Sequence, residues 1–323
     1  MTITQPPLPA VPNYPTPCPF EAEIEAAHQR FLRELSSPED GWQSIGEKEG
    51  VQLSKKWDED DLNPLPLCKG ETVVEDVTPD AFLAGVVQLP GMRSLWDART
   101  EFGYMMERYE VNTVLFYALT KGKRFLAKPR DMVGIQRNYA EPDGSRIIIQ
   151  TSVDSPSFPE QKGTIRGTIK MSGWRFSPEG NNTRVVYLLD VALNGKIPTA
   201  IVGMATSESP MSAGHARDVY YEYGHAPYVD PSSSSNLTTI FQLESISSLP
   251  QREYRCTVTT GSTSGENFEI IYDLKRMYKP EGGVEVRVEG DAGAVEAVDD
   301  GKGRVRVTTG ESGKTATVVL SPK

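Results

Sequence analysis

Apolar side chains recur at helical spacing near the start of the chain, where Phe20, Ile24, Ala27, Phe31 and Leu35 share one face and charges occupy the other. This predicts a helix stopped by Ser37-Pro38-Glu39-Asp40-Gly41. Alternating patterns then predict strands near residues 42–47, 51–56 and 67–74. Thr78-Pro79-Asp80 is a helix-start signal, with Thr78 as N-cap and Pro79 in the first turn, and short helices run from there to Leu95. Residues 97–193 read as a long antiparallel meander, with strands near 101–107, 112–118, 131–139, 146–153, 164–175 and 183–193. Its turns carry Pro142-Asp143-Gly144 and Pro178-Glu179-Gly180-Asn181-Asn182. Helical spacing returns from Ile201 to Tyr223, interrupted by Gly203, Pro210 and Gly214.

Both flanks of this pattern differ in character. Residues 1–19 form a proline-rich tail (Pro6, Pro7, Pro9, Pro12, Pro15, Pro17, Pro19), extended because proline fixes φ and removes donors. Residues 230–236, Asp-Pro-Ser-Ser-Ser-Ser-Asn, have a linker's composition. From 237 to 323, short strands near 239–244, 254–259, 268–274, 284–288, 304–308 and 315–320 are punctuated by Gly, Asp and Ser. They predict a small all-β sandwich. The fold class is therefore α+β: a helix-grip domain over 20–229, in which a curved antiparallel sheet wraps a C-terminal helix, then a linker and the sandwich.

Composition narrows the function. A formal net charge of -10 disfavours a nucleic-acid partner, which needs a basic face. Cys18, Cys68 and Cys256 are scattered, so no metal site or disulfide framework is expected. The N-terminal residues lack a basic region followed by an apolar core, and no apolar run reaches the length of a spanning helix. A cytoplasmic location is expected. No HExxH, GxSxG or nucleotide-binding glycine loop occurs, and His28, His215 and His225 have no evident nucleophile or carboxylate partner. The expectation is a protein with no cofactor and no catalytic residues; His28 reads as a helix-surface residue.

A series of local sequences then resembles the START (steroidogenic acute regulatory protein-related lipid transfer) family over about residues 20–225. They are Asp40-Gly41-Trp42, Arg93-Ser94-Leu95-Trp96-Asp97, Lys128-Pro129-Arg130-Asp131-Met132-Val133 and Ser152-Val153-Asp154-Ser155-Pro156, followed by Pro159 to Gly167 and Asn194-Gly195-Lys196-Ile197-Pro198. The resemblance implies a START-like domain whose cavity holds a sterol, phospholipid, ceramide or similar lipid under a lid made by the last helix and a loop. It implies structural roles for Arg130, Arg166, Gly163 and Pro198. Sterol-binding members pair an acidic residue with an arginine inside the cavity; the corresponding positions here are Tyr117 and Gln136, a neutral pair suited to a hydroxyl or carbonyl head group.

Counting by twos from these positions puts Thr113, Leu115 and Tyr117 on one inward face and Met132, Gly134 and Gln136 on the next. Ile148 and Gln150, Ile165, Ile169 and Met171, and Tyr187, Leu189 and Val191 continue around the sheet. From the lid segment, Met204, Met211, Val219 and Tyr223 are candidates, methionine being an adaptable wall. The basic loop of Lys121 to Lys128 presents Lys123, Arg124, Phe125 and Leu126 for transient contact with a membrane surface. The expected function is to bind one hydrophobic lipid and to carry or sense it between membranes. The alternatives are a lipid-regulated scaffold acting on a protein partner through the C-terminal β domain, and a helix-grip hydrolase or cyclase.

Overall fold

The computed structural model describes residue 14 and residues 17–36, 41–57, 65–122, 128–156, 158–234, 236–247 and 249–323. Most of the proline-rich tail, and the loop positions Lys123, Arg124, Phe125 and Leu126, lie outside the described residues. In chain order the first elements are α1 (Glu21–Ser36), β1 (Gln43–Lys48), β2 (Val51–Lys56), β3 (Leu67–Val74), α2 (Pro79–Phe82) and, after a π-helical turn, α3 (Pro90–Trp96). The meander is β4 (Thr100–Glu110), β5 (Thr113–Thr120), β6 (Arg130–Ala140), β7 (Arg146–Ser152), β8 (Ile165–Arg166), β9 (Thr168–Glu179) and β10 (Asn182–Ala192). It leads into α4 (Thr199–Glu208) and α5 (Ser212–Tyr223). Then come β11 (Tyr228–Val229), α6 (Pro231–Ser234), β12 (Ile240–Ile246), β13 (Tyr254–Thr259) and β14 (Asn267–Ile271). The last elements are β15 (Val284–Gly290), β16 (Val295–Asp299), β17 (Arg304–Thr309) and β18 (Thr315–Pro322).

These elements gather into two compact units. The first holds α1, β1–β3 and residues 96–217; the second holds Tyr14, residues 80–95 and residues 218–323. In the first unit a ten-stranded curved sheet runs β1-β2-β3-β10-β9-β7-β6-β5-β4, with the short β8 added in parallel to β6. Each neighbour pair along that order is antiparallel.

The sheet has two covered faces. On one, α1 buries Ile24, Ala27 and Phe31 against Leu115, Ile135, Ile149, Met171 and Leu188. Arg137 reaches this face too, donating to Thr113 Oγ1 at 2.8 Å and to both oxygens of Glu21 at 2.5 and 2.6 Å. On the other, Val202 and Ala205 of α4 pack against a cluster of Leu65, Met132, Ile169 and Val191, with Phe116 and Leu189. The α4–α5 junction presses on β3 so closely that a Cβ on Gly70 would lie 2.0 Å from the Pro210 carbonyl oxygen.

Three local expectations need correction. His28 is buried, not a surface residue, because it stands four residues after Ile24 on the apolar face; its ring stacks on Tyr139 at 3.8 Å. The helix expected over 201–223 is two helices, since Pro210 cannot donate a helical hydrogen bond. The 230–236 segment is not a bare linker. Asp230 and Pro231 make a helix start, with Asp230 accepting from Ser232 N at 3.0 Å, and the resulting short helix buries Ser234.

In the second unit, sheets β11-β14-β17-β16 and β12-β13-β18-β15 form a sandwich. Phe241 of one sheet meets Phe268 of the other edge-on at 5.0 Å, beside buried Tyr254, Val258, Ile270, Val305, Val307 and Val318. Two strands were not expected, β11 and β16; the latter is five residues among Gly and Asp.

Candidate ligand-binding face

Strand register decides which side chains share a face. β5 and β6 pair with Thr113 opposite Arg137, Leu115 opposite Ile135 and Tyr117 opposite Val133. Gln136 therefore stands opposite Val114, and Tyr117 and Gln136 point to opposite sides of the sheet. This corrects the expectation that the two form a facing pair. Tyr117 lies in the α1-side core, 1% exposed and stacked on Tyr104 at 5.5 Å; burial pushes its hydroxyl well above the ordinary phenol range. Leu115 and Met171 belong to the same α1-side core.

The α4 side holds the rest of the strand candidates. Met132, Ile169 and Leu189 join the cluster under α4. Directly paired residues continue the face: Gln136 with Gln150, Gln150 with Ser172, Ser172 with Leu189, and Ile148 with Trp174. Trp174 stacks on Tyr187 at 4.1 Å and meets Trp96 edge-on at 5.7 Å. In β9 an irregularity in pairing between Met171/Asp190 and Ile169/Val191 turns Met171 to the α1 side while Ile169 stays with α4.

Of the helix candidates, Met204 is 43% exposed, while Val202 and Ala205 of α4 pack against the Met132 and Ile169 cluster. Met211 is buried, but its partners are Val51 and Leu53 on β2. Val219 is buried within the second unit, and Tyr223 is half-buried there.

Across the middle of the α4 face runs a polar ladder. Gln150 Nε2 donates to Gln136 Oε1 at 2.7 Å, Ser172 Oγ donates to Gln150 Oε1 at 3.2 Å, and Gln136 Nε2 donates to Asn138 Oδ1 at 3.3 Å. Gln136 and Gln150 are each 8% exposed. Each amide nitrogen has a second N–H, so the ladder can offer both donors and acceptors to a hydroxyl or carbonyl. The rows on either side are largely apolar or aromatic, with Phe116, Ile169 and Val191 beside Ser152 on one and Ile148, Trp174 and Tyr187 beside Asn138 on the other.

Family motifs play structural parts. Arg130 donates to the carbonyls of Lys128, Leu193 and Asn194, and Arg166 pairs with fully buried Asp131 at 3.0 Å. Gly163 has φ +97°, a turn conformation that suits glycine. Sequence reasoning missed Phe116, Ser172, Trp174, Val202, Ala205 and the Asp97–Arg99 pair. The adjacency of Trp96, Asp97 and Arg99 was a readable signal for the last.

This arrangement, a sheet gripped between an outer helix and a C-terminal helix pair, is that of a known family, and the chain belongs to it: the START domain model matches residues 23–213. StAR-related lipid transfer protein 5 of Mus musculus is 24% identical over 184 residues, 56% of this chain and 85% of that protein. The solved structure of human StAR-related lipid transfer protein 5 superposes with a TM-score of 0.54 at 20% identity, covering 62% of this chain and 97% of that one. Human STARD10 gives a TM-score of 0.54 at 21% identity, covering 64% of this chain and 81% of that one. No described helix is long and apolar enough to cross a membrane.

Proposed function

We propose that this protein binds one hydrophobic lipid on the α4 face of its sheet, beneath α4, and carries or senses that lipid between membranes without transforming it. Membership in the START family and the lipid-transfer names of its relatives support lipid binding in general. The observation that carries the reading is the neutral Gln136–Gln150–Ser172 ladder set in a largely apolar face. A largely apolar surface with a few placed polar groups is how proteins hold and orient small apolar ligands. Because the ladder is uncharged, covering it with lipid costs less desolvation than covering an ion pair. It suits a hydroxyl or carbonyl near the polar end of the ligand.

Delivery requires a membrane encounter, and the sequence Lys123-Arg124-Phe125-Leu126 supplies the chemistry: cations for anionic head groups and two apolar side chains for insertion. Organic extraction of the purified protein followed by mass spectrometry should recover a lipid at near one per chain. Transfer between vesicles should fall in the Phe125→Asp/Leu126→Asp variant. Recovery of no lipid, with no uptake from a lipid panel, overturns the reading.

A further inference from the structure

Arg99 stands just before β4 and is not used by the ladder. Its Nε donates to Asp97 Oδ1 at 2.9 Å, Nη1 to Ser209 Oγ at 2.8 Å and Nη2 to Ser212 Oγ at 3.1 Å. The two serines bracket the α4–α5 junction and are buried, as is Asp97. A guanidinium has five N–H donors, so two remain uncommitted. Of its side-chain surface, 42% is accessible. The junction it ties down seats the Pro210 carbonyl against Gly70 of β3, and Gly70 pairs with Tyr187 of the α4 face. Burial opposes the charge, but Asp97, Tyr187 and the Glu208 carboxylate more than offset it and hold the guanidinium above its ordinary range.

The geometry points to Arg99 as an oxyanion site: it takes the carboxylate or phosphodiester of an amphiphile whose apolar part lies on the α4 face. This deepens the lipid-binding reading and rests on it. The planar fork matches two oxygens of such a group, which a hydroxyl ligand does not. Asp97 fixes the fork from one side through Nε. Ser209 and Ser212 fix it from the other, so the two free N–H groups are aimed only when the α4–α5 junction is in place. Neutral hydroxyl acceptors hold an arginine less tightly than an oxyanion does, which leaves the site ready for the stronger acceptor.

The test uses the full chain and four probes with matched tails: oleate against oleyl alcohol, and dioleoyl phosphatidylcholine against dioleoylglycerol, with binding read by tryptophan fluorescence. Wild type should prefer at least one oxyanion probe over its neutral match, and Arg99→Gln should erase that preference, a loss of about ten- to hundredfold, with the neutral probes unaffected. Preference within the first pair alone identifies a carboxylate, and within the second alone a phosphodiester. Arg99→Lys should retain only part of it. Ser209→Ala/Ser212→Ala, which keeps the charge but frees the fork, should weaken it as well, and this variant carries the test if Arg99→Gln misfolds by circular dichroism. Binding of neutral probes with no oxyanion preference, or a preference that survives both Arg99→Gln and the serine variant, overturns this inference alone. Failure of all four probes to bind overturns the lipid reading with it.

Discussion

Gln150 donates to Gln136 at 2.7 Å straight across the β6–β7 pairing, and both amides are buried, with Ser172 and Asn138 as their further partners. Each makes the other affordable to bury. Gln150→Leu strands the Gln136 carbonyl and the Ser172 hydroxyl, which should cost about 1–3 kcal/mol in urea unfolding. The Gln136→Leu/Gln150→Leu double variant removes donor and acceptor together and should recover part of that loss. Both variants should bind hydroxyl- or carbonyl-headed lipids more weakly. A double variant with the full sum of the single losses would show that the two amides act independently.

Tyr117 and Phe116 are neighbours in sequence and face opposite sides of the sheet. Tyr117→Phe, on the α1 side, should leave lipid binding unchanged. Phe116→Ser, against the Met132 and Ile169 cluster, should reduce it. A fluorescent-lipid titration of the two variants side by side checks the assignment, and the opposite ranking would return Tyr117 to the binding face.

That reversal marks the limit of what the residues alone disclosed. The bounds of β3 and β13 follow from alternation and turn residues, and the motifs from Trp96 to Pro198 are enough to identify the family. The facing of β5 against β6 was not legible. It depends on the register left by the connection between Thr120 and Arg130, and a slip of one residue exchanges the faces of the whole strand. The bend after α4 had the same effect at lower cost: Pro210 was visible, but which of Val202, Met204 and Ala205 meets the sheet depends on how the helix is turned over it. Arg99 was passed over because its partners at 209 and 212 are more than a hundred residues away.

The Phe31 ring occupies the place where Gly173 would carry a side chain; a Cβ there would come within 2.2 Å of it. Gly173→Ala should therefore lower stability by about 1–3 kcal/mol through overpacking. In a Phe31→Leu background the same change should cost less. A denaturation cycle over the four proteins checks this, and equal costs in both backgrounds would place the strain elsewhere.

The hydrogen bond from Arg137, aided by its charge, holds the Glu21 carboxyl below its ordinary range. A depressed carboxyl contributes stability above its unfolded value and loses it as pH falls through the lowered folded value. Glu21 is 61% exposed, so solvent screening keeps this contribution under about 1 kcal/mol. Urea midpoints at pH 6 and pH 3 should differ slightly less in Glu21→Gln than in wild type. An identical pH dependence would mean that the pair contributes nothing measurable.

The two compact units have a consequence for any attempt to isolate the lipid-binding part. Removing residues 231–323 looks, from composition, like a cut through a linker. It also takes away Asp273, whose carboxylate accepts from His225 N at 3.2 Å, and Arg276, which donates to the Tyr220 hydroxyl at 2.8 Å. Ile246, whose carbonyl lies 2.5 Å from where a Cβ on Gly91 would stand, is lost as well. The retained segments 80–95 and 218–230 would thus be left without the rest of their unit. Limited proteolysis of the truncated chain should cut within 80–95 and 218–230 at protease levels that leave the full chain intact, and its thermal midpoint should fall. A truncated chain as resistant and as stable as the whole would show that these segments do not need the sandwich, and that lipid carriage can be studied on residues 20–230 alone.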